Sequence, residues 1–138
     1  MKVLLAFVLL ALCCAKDLDH SSGKDILKAL QGGNNEVFVI MFHAGANSGD
    51  AIKAKTEEYQ QALDGVRKKY PDFTYSTVDA SDRSYDDVMD AISLIRTELD
   101  QSPSILIMHK GNGEWIHGPQ TISKIFEFAP AYEKRLKE

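Results

Sequence analysis

Val37-Phe38-Val39-Ile40-Met41-Phe42 is an unbroken apolar run, with none of the alternation shown by a strand that is wet on one face. Successive strand side chains point to opposite faces, so a strand of this kind must be covered on both sides. The rest of the chain has to supply the covers, and four amphipathic stretches do so. Ser22-Gly23-Lys24-Asp25 resembles a capping box, and Ile26, Leu27 and Leu30 continue it as a short helix that stops at Gly32-Gly33. From about Asp50 to Tyr70, the residues Ile52, Tyr59, Leu63, Val66 and Tyr70 form one stripe of a longer helix, which Pro71-Asp72 ends. Val88, Ile92, Ile95 and Leu99 recur at helical spacing and predict a third, single helix. Ile122, Ile125 and Phe126 mark the last helix over Thr121 to Phe128, with Pro130 limiting its extent.

Three further segments read as strands. Phe73 to Val78 alternates aromatic and small polar residues, and Ile105 to Met108 is a second apolar run. Lys110-Gly111-Asn112-Gly113 is a hairpin signal that returns Glu114 to His117 alongside it. The order is helix, strand, helix, strand, helix, strand, hairpin strand, helix. That order predicts an α/β sandwich around a mixed sheet. A chain of 138 residues with 44% hydrophobic content fits one such domain. Formal charge is -4, and no block of Lys and Arg is dense enough to follow a phosphate backbone, which argues against nucleic acid as a partner.

The N-terminus is separate from this pattern. Met1-Lys2 precedes Val3 to Ala15, a stretch without a charged side chain. It reads as a secretory signal peptide, with small Cys13 and Ala15 at positions -3 and -1 of a cleavage site. As a helix it spans about 20 Å, short of the roughly 30 Å hydrocarbon core of a bilayer. The alternative is a short N-terminal membrane anchor packed among other helices. Both cysteines, Cys13 and Cys14, fall inside this segment, so residues 16–138 carry no thiol and form no disulfide.

The order of elements and three local motifs resemble the thioredoxin-like superfamily. Val37–Phe42 with Ala44 is similar to the strand before that family's active-site loop, and Val78-Asp79 to the end of its next strand. Ser102-Pro103-Ser104-Ile105-Leu106-Ile107, followed by Lys110-Gly111-Asn112-Gly113-Glu114 and later Gly118, resembles its cis-proline strand and hairpin. The resemblance covers roughly residues 24 to 129. It implies a thioredoxin-like α/β/α sandwich with a mixed four- to five-stranded central sheet over residues 16–138, its first strand drawn from Lys16 to His20. It also implies that Pro103 follows a cis peptide bond and presents backbone groups to extended peptide. From the residues alone, Pro103 equally suits a strand start.

Carried over residue by residue, the resemblance is mostly negative. Asn47-Ser48-Gly49-Asp50 stands where the family has Cys-Gly-Pro-Cys, Met41 where it has a buried acid, and His43 where it has an aromatic. Thiol–disulfide exchange requires a thiolate, and neither an amide nor a carboxylate replaces one. Oxidoreductase activity of that kind is excluded on these residues.

Other chemistry is better explained by structure. His43, His109 and His117, with His20, show no compact ligand spacing, so no metal or cofactor is expected. Asn47 and Asp50 suggest an acid/base pair, but Asn-Ser-Gly-Asp is also helix-capping sequence, with Ser48 or Asp50 accepting from the first turn. Asp79, Asp82, Asp86, Asp87 and Asp90 do not fit an EF-hand loop, and the last three suit a helix N-terminus. Trp115 and Ile116 alternate on the hairpin, which turns one of them outward.

These readings describe a non-catalytic thioredoxin-like binding or structural domain. Its partners are protein or extended peptide, met at His43, Ala44, Asn47, Ser48, Gly49, Asp50, Ser102, Pro103 and Trp115. Cleavage of residues 1–15 makes it lumenal or secreted; retention makes it a membrane-anchored component, such as an accessory subunit of a membrane complex. The alternatives are a chaperone-like binder of extended polypeptide in the secretory pathway, and an enzyme using non-cysteine chemistry at the 44–50 loop.

Overall fold

β2 (Val37–His43) occupies the centre of the sheet, as its composition requires. The structure, a computed structural model, describes residues 16–45 and 48–138. The expectations for residues 1–15, Cys13 and Cys14 included, and for Asn47 lie outside the described residues. The sheet has five strands in the order β1-β3-β2-β4-β5. β1 (Lys16–Asp17) and β3 (Thr74–Asp79) run parallel to β2, while β4 (Ser104–His109) lies antiparallel to it and pairs with β5 (Asn112–Ile116).

Two helical layers cover the sheet. Val37, Val39 and Met41 face α2 (Asp50–Lys69) and α4 (Thr121–Lys137), where Tyr59, Leu63, Val66, Ile125, Ala129 and Tyr132 close one core. Phe38, Ile40 and Phe42 face α1 (Gly23–Gln31) and α3 (Asp86–Ala91), packing with Ile26, Leu30, Val88 and Met89 in a second. Burial of each such side chain stabilises the fold by about 1.5–3 kcal/mol, so this strand is the main tie between the layers. The hairpin forms as read: His109 pairs with Asn112 around Lys110 and Gly111, whose φ values of 48° and 80° suit a type I′ turn.

Three expectations change. The predicted third helix is broken: α3 stops at Ala91, Ser93 turns left-handed (φ 56°), and a single-turn 3-10 helix resumes at Arg96–Asp100. Arg96 explains the break, because its guanidinium bonds the Ala80 carbonyl at 2.9 Å and Asp86 at 2.5 Å, and so holds the second turn against the end of β3. Leu99 is buried, but Ile95 is 56% exposed.

Pro130 does not limit the last helix, which runs through it to Lys137. Ala129 and Tyr132 lie buried on either side, and Pro130 is on the wet face, where a missing backbone hydrogen bond costs least. At α1, the capping box is displaced. Ser22 makes no side-chain cap bond, and Asp25 accepts from the Ser21 N–H at 2.9 Å and the Ser21 hydroxyl at 3.0 Å. No helix among the described residues is long and apolar enough to cross a membrane.

Candidate functional site

β2 and β3 end side by side, with His43 opposite Asp79, and β4 begins beside them, with Ser104 opposite Phe42. β5 finishes at this same end, so His117 arrives next to Ser104. The topology therefore gathers His43, Ala44, Ser48, Asp50, Ser102, Pro103, Ser104 and His117 at one end of the sheet. His109 lies at the opposite end, opposite Val37, and His20 bridges Ser76 and Tyr85 near the sheet edge. Of the four histidines, only His43 and His117 therefore lie at this end. Among the described residues no group of three His, Cys, Asp or Glu could hold a metal.

The loop after β2 is shaped by Gly45. Its φ of +88° belongs to the left-handed region, and a Cβ there would meet the Asp79 carboxylate and the Ser81 hydroxyl. Asp79 Oδ1 is held in place by the Ser81 N–H at 2.8 Å and its hydroxyl at 2.6 Å. The Gly45 N–H donates to His43 Nδ1 at 3.2 Å. Burial pushes the His43 pKa below the ordinary 6.5, against the opposing attraction of Asp79, so the ring is neutral at pH 7.

The expected side-chain cap of α2 is absent. Gly49 stands at the cap, the Ser48 hydroxyl donates to the Gly45 carbonyl at 2.6 Å, and Asp50 begins the helix. Ser48 lies one residue before the cap, and its hydroxyl is turned back toward the Gly45 carbonyl, away from the first turn of the helix. Asp50 is exposed and sits in the first turn, where its charge suits the helix dipole.

On the β4 side, Ser102 and Pro103 are buried, and Ser102 N–H donates to the Glu98 carbonyl at 3.4 Å. Among the described residues no peptide bond is cis, so the Ser102–Pro103 bond is trans, contrary to the geometry that the resemblance implied. Trans is the intrinsically favoured X-Pro isomer by about 0.5–1 kcal/mol, and proline at a strand start donates no ladder bond that would be missed. Trp115 is half-buried, edge-to-face with Phe42 at 5.5 Å, and Ile116 is buried in the opposite core. Both hairpin residues therefore face helical layers and neither projects as a free anchor.

The residues missed from the sequence are Ser104 and Glu98. Ser104 Oγ lies 2.6 Å from His117 Nδ1, and Glu98 Oε2 lies 4.0 Å from His117 Nε2. The direction of the Ser104–His117 bond follows the ring's tautomer: with the proton on Nε2, on the Glu98 side, the Ser104 hydroxyl donates to Nδ1. Hydroxyl, imidazole and carboxylate in that order form the relay of acyl-transfer enzymes. Here Ser104 has no exposed surface, so its oxygen cannot reach a substrate carbonyl. The array works as an internal strut between β4, β5 and the 3-10 turn. Outside it, a shallow depression lined by Ala44, Ala80, Ser81, Arg96, Leu99 and Asp100 opens beside the loop.

No protein-family model and no curated protein matches this chain. Solved structures do. Thioredoxin O2 from Arabidopsis thaliana aligns over 86% of this chain and 96% of its own, with a TM-score of 0.65 and 16% identity. Fasciola hepatica thioredoxin aligns over 85% and 98%, with a TM-score of 0.59 and 14% identity. Chloroplastic thioredoxin z aligns over 88% and 96%, with a TM-score of 0.60 and 15% identity. These likenesses show that the chain has the thioredoxin-like fold.

Proposed function

We propose that this thioredoxin-fold domain acts by binding and not by catalysis, and that it engages a protein partner through the end of the sheet that carries residues 44–50. One observation carries the reading: Ser104 and His43 Nδ1, the hydroxyl and ring nitrogen best placed at that end, already bond neighbours within the fold. The Ser104 hydroxyl is spent on His117 and is sealed, and His43 Nδ1 is capped by Gly45. The loop that holds cysteines in thioredoxins reads Asn47-Ser48-Gly49-Asp50, and the chain's two cysteines, Cys13 and Cys14, lie in the N-terminal apolar segment. What remains outward is a recognition surface: the depression beside Ala44, with Ile95, 56% exposed, next to Arg96 in the chain. The apolar segment 1–15 delivers the domain to the secretory pathway or tethers it to a membrane.

A photo-crosslinking residue at Ser48, with a control at Lys124 on α4, tests this in cells of the source organism. The expected result is one defined protein partner captured from Ser48 and not from Lys124, and lost on Ile95→Asp. Capture of a carboxymethylated, permanently unfolded polypeptide instead would favour the chaperone-like role. Reduction of insulin disulfides by the purified chain would overturn the non-catalytic reading.

A further inference from the structure

The end of the molecule opposite the candidate site gathers positive charge for a topological reason. α2 runs from the site end back to the start of β3, and α4 runs from the end of β5 back to Asn35, whose side-chain amide donates to the Leu136 carbonyl at 3.0 Å. Both helices finish in basic residues, and the β4–β5 turn lies at the same end. Lys68, Lys69, Lys110, Lys134, Arg135 and Lys137 are all exposed there. His109 sits among them: its Nε2 is 2.8 Å from Asn35 Oδ1, and burial, Lys110 and Arg135 lower its pKa against the opposing charge of Glu138.

Helix C-termini attract cations, which accounts for the lysines in the last turns of α2 and α4. It does not account for Lys110 in a hairpin turn, nor for Lys16. Asp17 pairs with Arg67 and Glu133 with Lys137, so these pairs contribute no net charge and Lys16, Lys68, Lys69, Lys110, Lys134 and Arg135 are the cations outside them. The carboxylates Glu36, Asp72 and Glu138 remain. At the site end, by contrast, Asp79, Asp82, Asp86, Asp87, Asp90 and Asp100 outnumber Arg83 and Arg96. The two ends are separated by α2, whose 20 residues span about 30 Å. That exceeds three Debye lengths at physiological salt, so the acidic end does not cancel the field of the basic one.

The position of Lys16 gives this face its occupant. β1 is parallel to β3 with Lys16 opposite Thr74, so the chain enters the domain from the basic end. The residues just before Lys16 are the apolar run Val3 to Ala15. We propose that the basic end is a docking face for an anionic phospholipid surface, apposed to the headgroups where the apolar segment joins β1. The inference rests on the membrane-tethering part of the proposed function and adds to it an orientation, with residues 44–50 directed away from the bilayer.

The test is flotation of the full chain with vesicles of phosphatidylcholine alone or with about one-third phosphatidylserine, at about 0.1 M salt. The expected partition coefficient is on the order of 100-fold higher with phosphatidylserine, falling toward the neutral value at about 0.5 M salt. The K68Q/K69Q/K110Q/K134Q variant loses that preference, whereas K53Q/K55Q, nearer the other end of α2, keeps it. Unchanged thermal unfolding of both variants shows that folding is not the cause. Equal binding to both vesicles would overturn the docking face while leaving the anchor intact, and binding to neither would overturn both. Binding to soluble polyglutamate that persists at about 0.5 M salt, where the phosphatidylserine preference is lost, would assign the face to an acidic protein and overturn the lipid assignment.

Discussion

Removing either end of the Ser104–His117 hydrogen bond is predicted to have unequal consequences, because the two groups differ in access to water. Ser104 is fully buried and its hydroxyl has one partner, at 2.6 Å; the His117 side chain is 19% exposed. His117→Ala strands a buried hydroxyl, which costs about 1–3 kcal/mol in addition to lost imidazole packing. Ser104→Ala leaves an imidazole that can turn to solvent, so its cost is about 0.5–1.5 kcal/mol, the net worth of one hydrogen bond. The double variant has no orphan and should be more stable than the sum of the singles predicts, by about 1–2 kcal/mol. Urea unfolding followed by circular dichroism resolves this, since slopes of about 1–3 kcal/mol/M place a midpoint shift of roughly 1 M on the larger single effect. Additivity within about 0.5 kcal/mol, or a greater loss for Ser104→Ala than for His117→Ala, would refute the view of this array as a sealed strut.

Three other outcomes follow from the same structure. Burial lowers the pKa values of His20 and His43 below 6.5, so between 6.5 and their native values the unfolded chain takes up protons that the folded chain refuses. Stability is therefore full above pH 6.5 and declines as pH falls through that window; urea midpoints against pH measure it, and His43→Gln should flatten the slope. Pro130→Ala, on the exposed side of α4, should raise stability by about 1–2 kcal/mol, part of the roughly 3 kcal/mol helix penalty of proline; a lower midpoint would mean that the proline seats Ala129 and Tyr132. Gly45→Ala should destabilise by about 2 kcal/mol or more, combining left-handed strain with displacement of Asp79 and Ser81, and amide exchange should quicken at Ser81.

The parts of the fold legible in the sequence were those set by local composition. An unalternating run such as Val37–Phe42 has only one stable placement, between two layers, and Lys110-Gly111 has few turns open to it. The misreadings arose where a long-range contact outweighed a local preference. Helical spacing from Val88 to Leu99 is real, but the Arg96 bonds to Ala80 and Asp86 stop the helix from continuing through Ser93. Pro130 breaks helices in isolation. In α4 it is retained because Ala129 and Tyr132 are buried around it.

The candidate site was legible as a place and not as a set of contacts. Strand order brings the 44–50 loop and Ser102-Pro103 to one end in any chain of this topology, whereas Ser104, His117 and Glu98 meet only through the β4–β5 register and the fold of the 3-10 turn. Lys110-Gly111-Asn112-Gly113 offers more than one two-residue turn, and it is the turn at Lys110-Gly111 that pairs His109 with Asn112 and so sets His117 beside Ser104. The proposed binding role rests on these same contacts. A reacting group must be reachable and short of partners, whereas Ser104 is sealed and bonded to His117, and His43 Nδ1 accepts from the Gly45 N–H. Under the proposed function, Ile95, 56% exposed, belongs to the face that a protein partner covers.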